Sequence, residues 1–256
     1  MRAGRDLVTR GPTKSPELWD RESVEPGSAD RGALDGAVTR DGCPVELYTL
    51  LPTAGEPALV HAAVPAGAEI LELGCGAGRL THPLIELGHP VTAVDNSADM
   101  LAHVRGPAAF LVTVLADIET LDLDRRFPVV LLASHLLNTP DDRLRGRLLA
   151  ACRRHLAADG RVLIQWLPPA WFDRVFADMR PVTGRIGGIE VTDTPLSHDG
   201  TVLQASCVYR ADDRSWSHRF ATRRLSRADL HAALAGAGLR FERHLDAGRH
   251  WLTAVL

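Results

Sequence analysis

The chain has 256 residues, of which 45% are hydrophobic, and this length is ordinary for one domain with a single sizeable core. Its formal net charge of −3 excludes a general electrostatic attraction to nucleic acid. The four cysteines form no CxxC pair, the N-terminus lacks an apolar signal core, and no apolar run approaches the roughly 18–20 residues that cross a bilayer, so we expect a cytoplasmic protein without a metal site.

The first 44 residues have the composition of a loop-rich arm. They are rich in Gly, Pro, Arg and Asp and show little apolar periodicity. We expect this arm to be partly flexible and to fold over a ligand. Short helices are predicted at 44–52 and 56–65, where the main domain, residues 45–256, begins.

Apolar strands alternate with amphipathic helices from residue 68 onward. Strands are predicted at 68–74, 90–95, 108–117, 127–134 and 161–167, and helices at 78–88, 97–106 and 140–160. Ser97 is the predicted N-cap of the second of these helices. Continuous apolar strands separated by helices are typical of a parallel sheet covered on both faces. The predicted fold class is therefore α/β, a Rossmann-like doubly wound sheet that is mostly parallel.

The pattern changes after the fifth strand. A helix at 170–179 precedes three short strands at about 186–196, 201–210 and 214–223, which are separated by turn sequences. We interpret residues 186–223 as an antiparallel meander that forms a lid over an acceptor. A helix with Ser226 as N-cap follows, and a terminal hairpin adds an antiparallel end to the main sheet.

A glycine-rich turn follows the first strand, in the sequence EILELGCGAGRL. Gly74, Gly76 and Gly78 stand at alternate positions, and Glu72 precedes the first of them by two residues. Such a turn lets the backbone approach a ligand closely, and the next helix presents free N–H groups to it. The spacing differs from the GxGxxG of dinucleotide sites and indicates a nucleoside with a small zwitterionic tail.

Two further acids end the second and third predicted strands. A carboxylate at Asp95 can accept hydrogen bonds from both hydroxyls of a ribose. Asp117 can accept a hydrogen bond from an adenine amino group, while the N–H of Ile118 faces a ring nitrogen. The alternative for Asp95 is an exposed cap of the next helix, and the alternative for Asp117 is a turn aspartate without a ligand.

These segments together resemble the class I S-adenosylmethionine-dependent methyltransferases. The resemblance covers about residues 45–170 and lies in ILELGCGAGRL, VTAVD, LADI and VVLLASHLLNTP. It implies that S-adenosylmethionine is the cofactor and that a methyl group passes to an oxygen or nitrogen of a small-molecule acceptor, by analogy in secondary metabolism. The cofactor-binding residues that it implies are Glu72, Gly74, Gly76, Gly78, Asp95, Asp117, Ile118 and Tyr48.

Candidate acceptor residues follow from the position of the strand ends. Acceptors in open α/β sheets bind at the carboxyl ends of the strands, and the fourth strand ends in ASHLLNTP. His135 is the candidate general base and Asn138 the candidate donor that orients the acceptor. Trp166, and Trp216 with His218 on one face of the third meander strand, are candidate acceptor contacts. Packing within the protein is the alternative for the histidines and tryptophans, and the start of the next helix is the alternative for Asn138.

Three other functions are compatible with parts of this sequence: a nucleic-acid methyltransferase, a dehydrogenase and a binding protein. Methyltransferases that act on base amino groups resemble one another in an (N/D/S)PP(Y/F/W) motif after the fourth strand, which this chain lacks there. A nicotinamide-dependent dehydrogenase disagrees with the glycine spacing. A binding or regulatory protein, or one with non-methylating chemistry, would keep the cofactor pocket. The expected partner is a small-molecule acceptor, with no nucleic acid and no membrane, and a homodimer through the meander is an open expectation.

Overall fold

The structure, a computed structural model, describes residues 37–256. This part of the chain contains eleven strands and seven α-helices. The strands are β1 (Ile70–Leu73), β2 (Val91–Asp95), β3 (Leu111–Leu115), β4 (Phe127–Leu132), β5 (Leu156–Gln165), β6 (Val182–Ile186), β7 (Ile189–His198), β8 (Val202–Ala211), β9 (Arg214–Arg223), β10 (Arg240–His244) and β11 (Trp251–Val255). The helices are α1 (Val45–Leu50), α2 (Glu56–Ala63), α3 (Thr81–Glu86), α4 (Ala98–Leu101), α5 (Asp142–His155), α6 (Pro169–Asp178) and α7 (Arg227–Gly236). Most of the predicted arm at 1–44 lies outside the described residues.

The main sheet has seven strands in the order β10-β11-β5-β4-β1-β2-β3. Strands β1 to β5 pair in parallel, while β11 is antiparallel to both β5 and β10. This confirms the predicted Rossmann-like class with an antiparallel terminal hairpin. The chain order reverses between β1 and β4, and a crevice opens at the carboxyl ends of strands at such a switch point.

Apolar layers cover both faces of the main sheet. All four residues of β1 are buried, because successive side chains pack on opposite layers. Leu71 and Leu73 belong to the layer that includes α5 and α7, whereas Ile70 belongs to the layer with residues of α2 and α3. Burial of each such side chain contributes about 1.5–3 kcal/mol to folding. The sheet is therefore a rigid base for the loops at its carboxyl edge.

Two predicted helix starts are confirmed. The hydroxyl of Ser97 accepts a hydrogen bond from the N–H of Met100 over 3.2 Å, at the start of α4. Ser226 and Asp229 form a reciprocal capping box at the start of α7. Such caps satisfy backbone N–H groups that the first helical turn leaves without partners.

Three predicted helices are shorter in the structure, and one of them, α3, covers only Thr81–Glu86 of the predicted 78–88. Helix α5 ends at His155, because Leu156 already pairs with Phe127 of β4 and the chain continues as β5. The ring of His155 holds this end, since its Nδ1 bonds to the carbonyl of Ala151 and its Nε2 accepts the N–H of Leu123. Helix α4 is one turn long and does not reach residue 106.

A second sheet has four antiparallel strands in the order β6-β7-β8-β9, not the three that were predicted. The additional strand β6 pairs with β7 through a tight turn, where Gly187 has a left-handed φ of 58°. Strand β6 is partly accessible on both faces, so its sequence lacks the alternation that marks a half-buried strand. The antiparallel unit thus spans 182–223 and not 186–223.

Candidate active site

The turn after β1 has the left-handed backbone that its glycines predict. The φ angles are 76° at Gly74, 55° at Gly76 and 88° at Gly78, a region that strongly favours glycine. A Cβ on Gly74 would lie 3.0 Å from Cδ1 of Leu136, and one on Gly78 would lie 2.8 Å from the ring of His82. A Cβ on Gly76 would meet no protein atom within 4 Å. Protein atoms therefore pack against both ends of the turn, and its middle residue borders open space.

Glu72 lies buried beneath this turn and is only 2% exposed. The hydroxyl of Thr81 donates a hydrogen bond of 2.6 Å to its carboxyl group. Burial raises the pKa of Glu72 to about 7, although the Thr81 hydrogen bond and the charge of Arg79 act in the opposite direction. A cationic group of a ligand near the turn would favour the ionised form of this carboxyl.

Asp95, at the end of β2, ties the glycine turn to the sheet. Its Oδ2 accepts the N–H of Gly76 over 2.8 Å, and its Oδ1 accepts the N–H of Ser97 over 2.9 Å. A carboxylate has about four acceptor positions, so each oxygen retains one for another donor. The arrangement is compatible with the predicted bonds to two ribose hydroxyls. The bond to Ser97 matches the alternative role of Asp95 as a cap of the next helix, and the bond to Gly76 adds a positioning role that the sequence did not indicate.

Asp117 and Ile118 lie beside the turn, after the end of β3. The carboxylate of Asp117 accepts hydrogen bonds from Asn96 over 2.8 Å and from Arg40 over 3.4 Å. Cδ1 of Ile118 lies 3.6 Å from the Cβ position of Gly74. An apolar side chain next to a carboxylate is suited to a purine ring with an amino group.

Tyr48, on α1, connects the glycine turn to the second sheet. It packs against a cluster with Ala77 and Met100 on one side and against the cluster that includes Trp216 on the other. The thiol of Cys43 donates a hydrogen bond to the Tyr48 hydroxyl over 3.3 Å. Burial raises the pKa of Tyr48 above its ordinary value, so the phenol remains protonated. This location suits the predicted cover over the cofactor.

The loop after β4 contains two consecutive non-glycine residues with left-handed backbone. Their φ angles are 55° at Ser134 and 58° at His135, and such conformations cost about 1–3 kcal/mol each and cluster at functional sites. Burial, with the charges of His250 and Arg79, lowers the pKa of His135 to about 4. The ring is therefore neutral at physiological pH and accepts a hydrogen bond more readily than a proton.

His250 is a residue of this region that the sequence analysis missed. It precedes β11, whose first residue Trp251 pairs with Gln165 at the carboxyl end of β5. The carboxylate of Asp246 accepts the backbone N–H of His250 over 3.2 Å and lies 3.5 Å from its Nδ1. The histidine beside the predicted hairpin turn was the available signal. However, only the antiparallel pairing brings this turn to the same edge as His135.

Asn138 and Trp166 support the framework of the site, and their contacts argue against the predicted roles. The side-chain amide of Asn138 donates to the carbonyls of Leu167 and Arg223 over 3.1 and 2.9 Å, so neither N–H is left to orient an acceptor. The indole of Trp166 is buried in the core and donates to the carbonyl of Arg249 over 2.6 Å. It therefore anchors the β10–β11 turn and does not stack on an acceptor.

Trp216 and His218 share the inner face of the second sheet, on β9. The indole N–H of Trp216 donates to Glu46 over 3.1 Å, which fastens α1 to the sheet. Burial lowers the pKa of His218. Its Nδ1 is buried and has no hydrogen-bond partner among residues 37–256. Trp216 thus has a packing role, whereas His218 keeps a free polar atom.

Comparison with known proteins agrees with this geometry. A family model described as a methyltransferase domain matches residues 70–160, which run from β1 into β5. Over 212 residues the chain is 32% identical to a cypemycin N-terminal methyltransferase from a Streptomyces species, and the match covers 77% of this chain and 85% of the relative. The chain belongs to the class I S-adenosylmethionine-dependent methyltransferases.

Two further relatives support the assignment of this methyltransferase. It is 28% identical over 200 residues to the dTDP-3-amino-3,6-dideoxy-alpha-D-glucopyranose N,N-dimethyltransferase of Streptomyces fradiae, covering 72% of this chain and 75% of the relative. The structure of the CcbJ methyltransferase from Streptomyces caelestis matches with a TM-score of 0.63 at 27% identity, over 78% of this chain and 92% of that one. The enzyme therefore transfers a methyl group from S-adenosylmethionine, and the dehydrogenase alternative is excluded.

The side chains around the glycine turn of the methyltransferase fit this cofactor. When bound, S-adenosylmethionine supplies a methyl group on a positively charged sulfur, with a neutral thioether as the leaving group. Asp95 places a carboxylate at the turn, a cationic group bound there would favour ionisation of the buried Glu72 carboxyl, and Gly76 leaves room for close backbone approach. Within the described residues, no three metal-binding side chains come together. The same part of the chain contains no helix long and apolar enough to span a membrane.

Proposed function

We propose that this methyltransferase methylates a nitrogen atom of a small-molecule acceptor in secondary metabolism. The choice of nitrogen rests on the names of two relatives, and the environment of His135 at the carboxyl end of β4 is compatible with it. A neutral amine attacks a methyl group with its own lone pair, whereas a hydroxyl group depends on a base to increase its nucleophilicity. Because the pKa of His135 is about 4, this imidazole is a weak base. A neutral amine depends less on a general base than a hydroxyl group does, so the weak base favours an amine as the acceptor.

Two relatives that match over more than two thirds of this chain have names that support the same choice. The Streptomyces protein that is 32% identical is named a cypemycin N-terminal methyltransferase, and the Streptomyces fradiae protein is named an N,N-dimethyltransferase of a dTDP-3-amino sugar. Both acceptors contain an aliphatic amine. We infer an acceptor with such a group for this enzyme, without assigning the rest of the molecule.

The residues that we propose for the cofactor follow the turn and its neighbours. Glu72, Gly74, Gly76 and Gly78 line the methionine end, Asp95 binds the ribose, Asp117 and Ile118 bind the adenine, and Tyr48 covers the site. We propose that His135 accepts a hydrogen bond from the acceptor. With the antiparallel unit 182–223 as the lid, the acceptor lies between the carboxyl edge of the main sheet and the second sheet.

A small molecule is a better acceptor for this site than a nucleic acid. The net charge of −3 offers no general attraction to a phosphate backbone. Association through the second sheet stays a prediction, and size-exclusion chromatography with light scattering tests it.

The function is tested by incubating the enzyme with S-adenosylmethionine and two matched acceptors, dTDP-3-amino-3,6-dideoxyglucose and its 3-hydroxy analogue, together with a short peptide that has a free N-terminus. Mass spectrometry reports a gain of one CH₂ unit per transfer, and S-adenosylhomocysteine is measured in parallel. We expect methylation of an amine and none of the hydroxyl analogue. Methylation of the hydroxyl analogue alone, or no transfer to any amine, contradicts the proposal.

A further inference from the structure

Three polar side chains form a row across the second sheet. In the strand register, Asp193 of β7 pairs with Cys207 of β8, and Cys207 pairs with His218 of β9. Directly paired residues of neighbouring strands point to the same face and are about 4.8 Å apart in the pairing direction. Carboxyl, thiol and imidazole therefore lie side by side on one face, and we call these residues the polar row.

The polar row lies between two apolar patches of that face. On one side, Leu47 of α1 packs against residues of β7 and β9, namely Ile189, Val191 and Trp216. On the other side, Phe172 of α6 packs against Leu203 and Ala205. The two helices thus contact the sheet at either side of the row. A polar strip between two apolar patches is the usual composition of a small-molecule site.

The outer members of the polar row have unused hydrogen-bonding capacity. Nδ1 of His218 is buried without a partner in the described part of the chain. Asp193 is partly buried and has no ion-pair partner within those residues, and burial raises its pKa, against a weaker opposite effect of the neighbouring Cys207 thiol. A partly buried carboxyl without a cation and a buried imidazole nitrogen without a partner are both suited to bind a polar ligand group.

The middle member of the row does not act as a nucleophile. Burial raises the pKa of the Cys207 thiol, and the neighbouring charge of Asp193 raises it further. The thiol therefore remains protonated, and thiolate is the reactive form of cysteine. The row is suited to recognition and not to covalent chemistry.

Tyr48 connects the polar row to the cofactor region. Its cluster with Ala77 reaches the glycine turn, and its other cluster includes Cys207. A ligand on the polar row therefore lies next to α1, which also packs against the glycine turn through Val45 and Tyr48.

We propose that the polar row is the acceptor-binding surface, in which Asp193 and His218 bind the amino group of the acceptor and the flanking apolar patches bind its carbon skeleton. This inference rests on the proposed function, which it extends by naming the residues that select an amine. The acceptor N–H donates to the Asp193 carboxylate, and this charge-assisted bond is stronger than a neutral one.

The test uses small probes, cyclohexylamine and cyclohexanol, with the full-length enzyme saturated in S-adenosylhomocysteine. Saturation-transfer NMR measures the dissociation constant of each probe. We expect cyclohexylamine to bind at least about tenfold more tightly than cyclohexanol, and Asp193→Asn to weaken the amine about tenfold, in the range for hydrogen bonds to charged groups. Glu190→Gln is the matched control, because Glu190 lies on the opposite face of β7, three residues away, and pairs with Arg210.

The inference is overturned if cyclohexylamine does not bind, if the two probes bind equally, or if Asp193→Asn binds the amine as the wild type does. Calorimetry with S-adenosylhomocysteine verifies that Asp193→Asn is folded. If Asp193→Asn does not fold, the same measurement is made with His218→Gln. The product assay separates the two proposals. Methylation of an amine with unchanged KM in Asp193→Asn removes the inference and leaves the function, whereas methylation of the hydroxyl analogue alone removes the function.

Discussion

Asp95 accepts a hydrogen bond of 2.8 Å from the backbone N–H of Gly76, so the acid at the end of β2 holds the middle of the turn that follows β1. The same carboxylate accepts the N–H of Ser97 at the start of α4. One side chain thereby orients two loops that border the proposed cofactor site, in addition to any contact with the ribose.

We expect Asp95→Ala to weaken S-adenosylmethionine binding by tenfold or more. The variant loses the ribose acceptor and also releases Gly76, and a hydrogen bond to a charged group contributes roughly 1.5–3 kcal/mol. Titration calorimetry measures the affinity. Asp99→Ala is the control, since Asp99 is an exposed acid of the neighbouring helix α4. Unchanged affinity in Asp95→Ala would refute both the ribose contact and the positioning role.

The three glycines of the turn are expected to respond differently to alanine. Gly78→Ala places a methyl group 2.8 Å from the His82 ring, so the fold itself is strained, whereas the same change at Gly76 meets no protein atom. Thermal unfolding is expected to show a larger loss for Gly78→Ala, while calorimetry shows a loss of cofactor affinity for both variants.

Gly200→Ala controls for backbone strain in this pair. Gly200 has a φ of 86° and no atom within 4 Å of its Cβ position, so it reports the left-handed penalty of about 1–2 kcal/mol alone. A Gly76→Ala enzyme with normal affinity would show that no ligand approaches the turn there.

The low pKa of His135 predicts a pH-dependent stability. The ring titrates near pH 4 in the folded protein and near 6.5 in the unfolded chain, which therefore binds more protons between these values. The free energy of unfolding consequently rises with pH from about 4 to 6.5, by up to roughly 3 kcal/mol from this group. Urea denaturation at several pH values in this range measures the free energy of unfolding. Its increase with pH should be smaller in His135→Gln than in the wild type and unchanged in the exposed control His103→Gln. An equal increase of the free energy of unfolding with pH in the wild type and in His135→Gln would contradict the lowered pKa of His135.

Asn138→Ala is expected to destabilise the protein by roughly 2–4 kcal/mol. The change leaves the N–H of Leu167 and two backbone carbonyls without their partner in a buried setting, and each unsatisfied group costs about 1–3 kcal/mol. Chemical denaturation measures the loss, and Thr139→Ala, at the next position, serves as the control. Full stability combined with a low kcat would instead restore the orienting role that the sequence predicted for Asn138.

Much of the cofactor region could be predicted from the sequence because its signals are local. A left-handed turn requires glycine at Gly74, Gly76 and Gly78, and the residue that ends a parallel strand, as Asp95 does, lies at the carboxyl edge. Neither inference depends on which strands pair. The alternation of apolar strands and helices likewise predicted the fold class, whereas helix ends depended on later pairing, as at Leu156.

The acceptor region could not be predicted in the same way. Asn138 and Trp166 were predicted to contact an acceptor, but partners 29 and 83 positions away in the chain occupy their donors. His250 joins His135 only because β11 runs antiparallel to β5. The polar row likewise exists only through the register of three strands.

The sequence by itself thus determined the fold class, the glycine turn and the acids at the strand ends, since these depend on backbone conformation and periodicity within a few residues. Tertiary structure decided which side chains are occupied by framework hydrogen bonds and which keep free polar atoms. The physical reason is that hydrogen-bond saturation, burial and strand register are set by partners distant in the chain, and no local pattern encodes them.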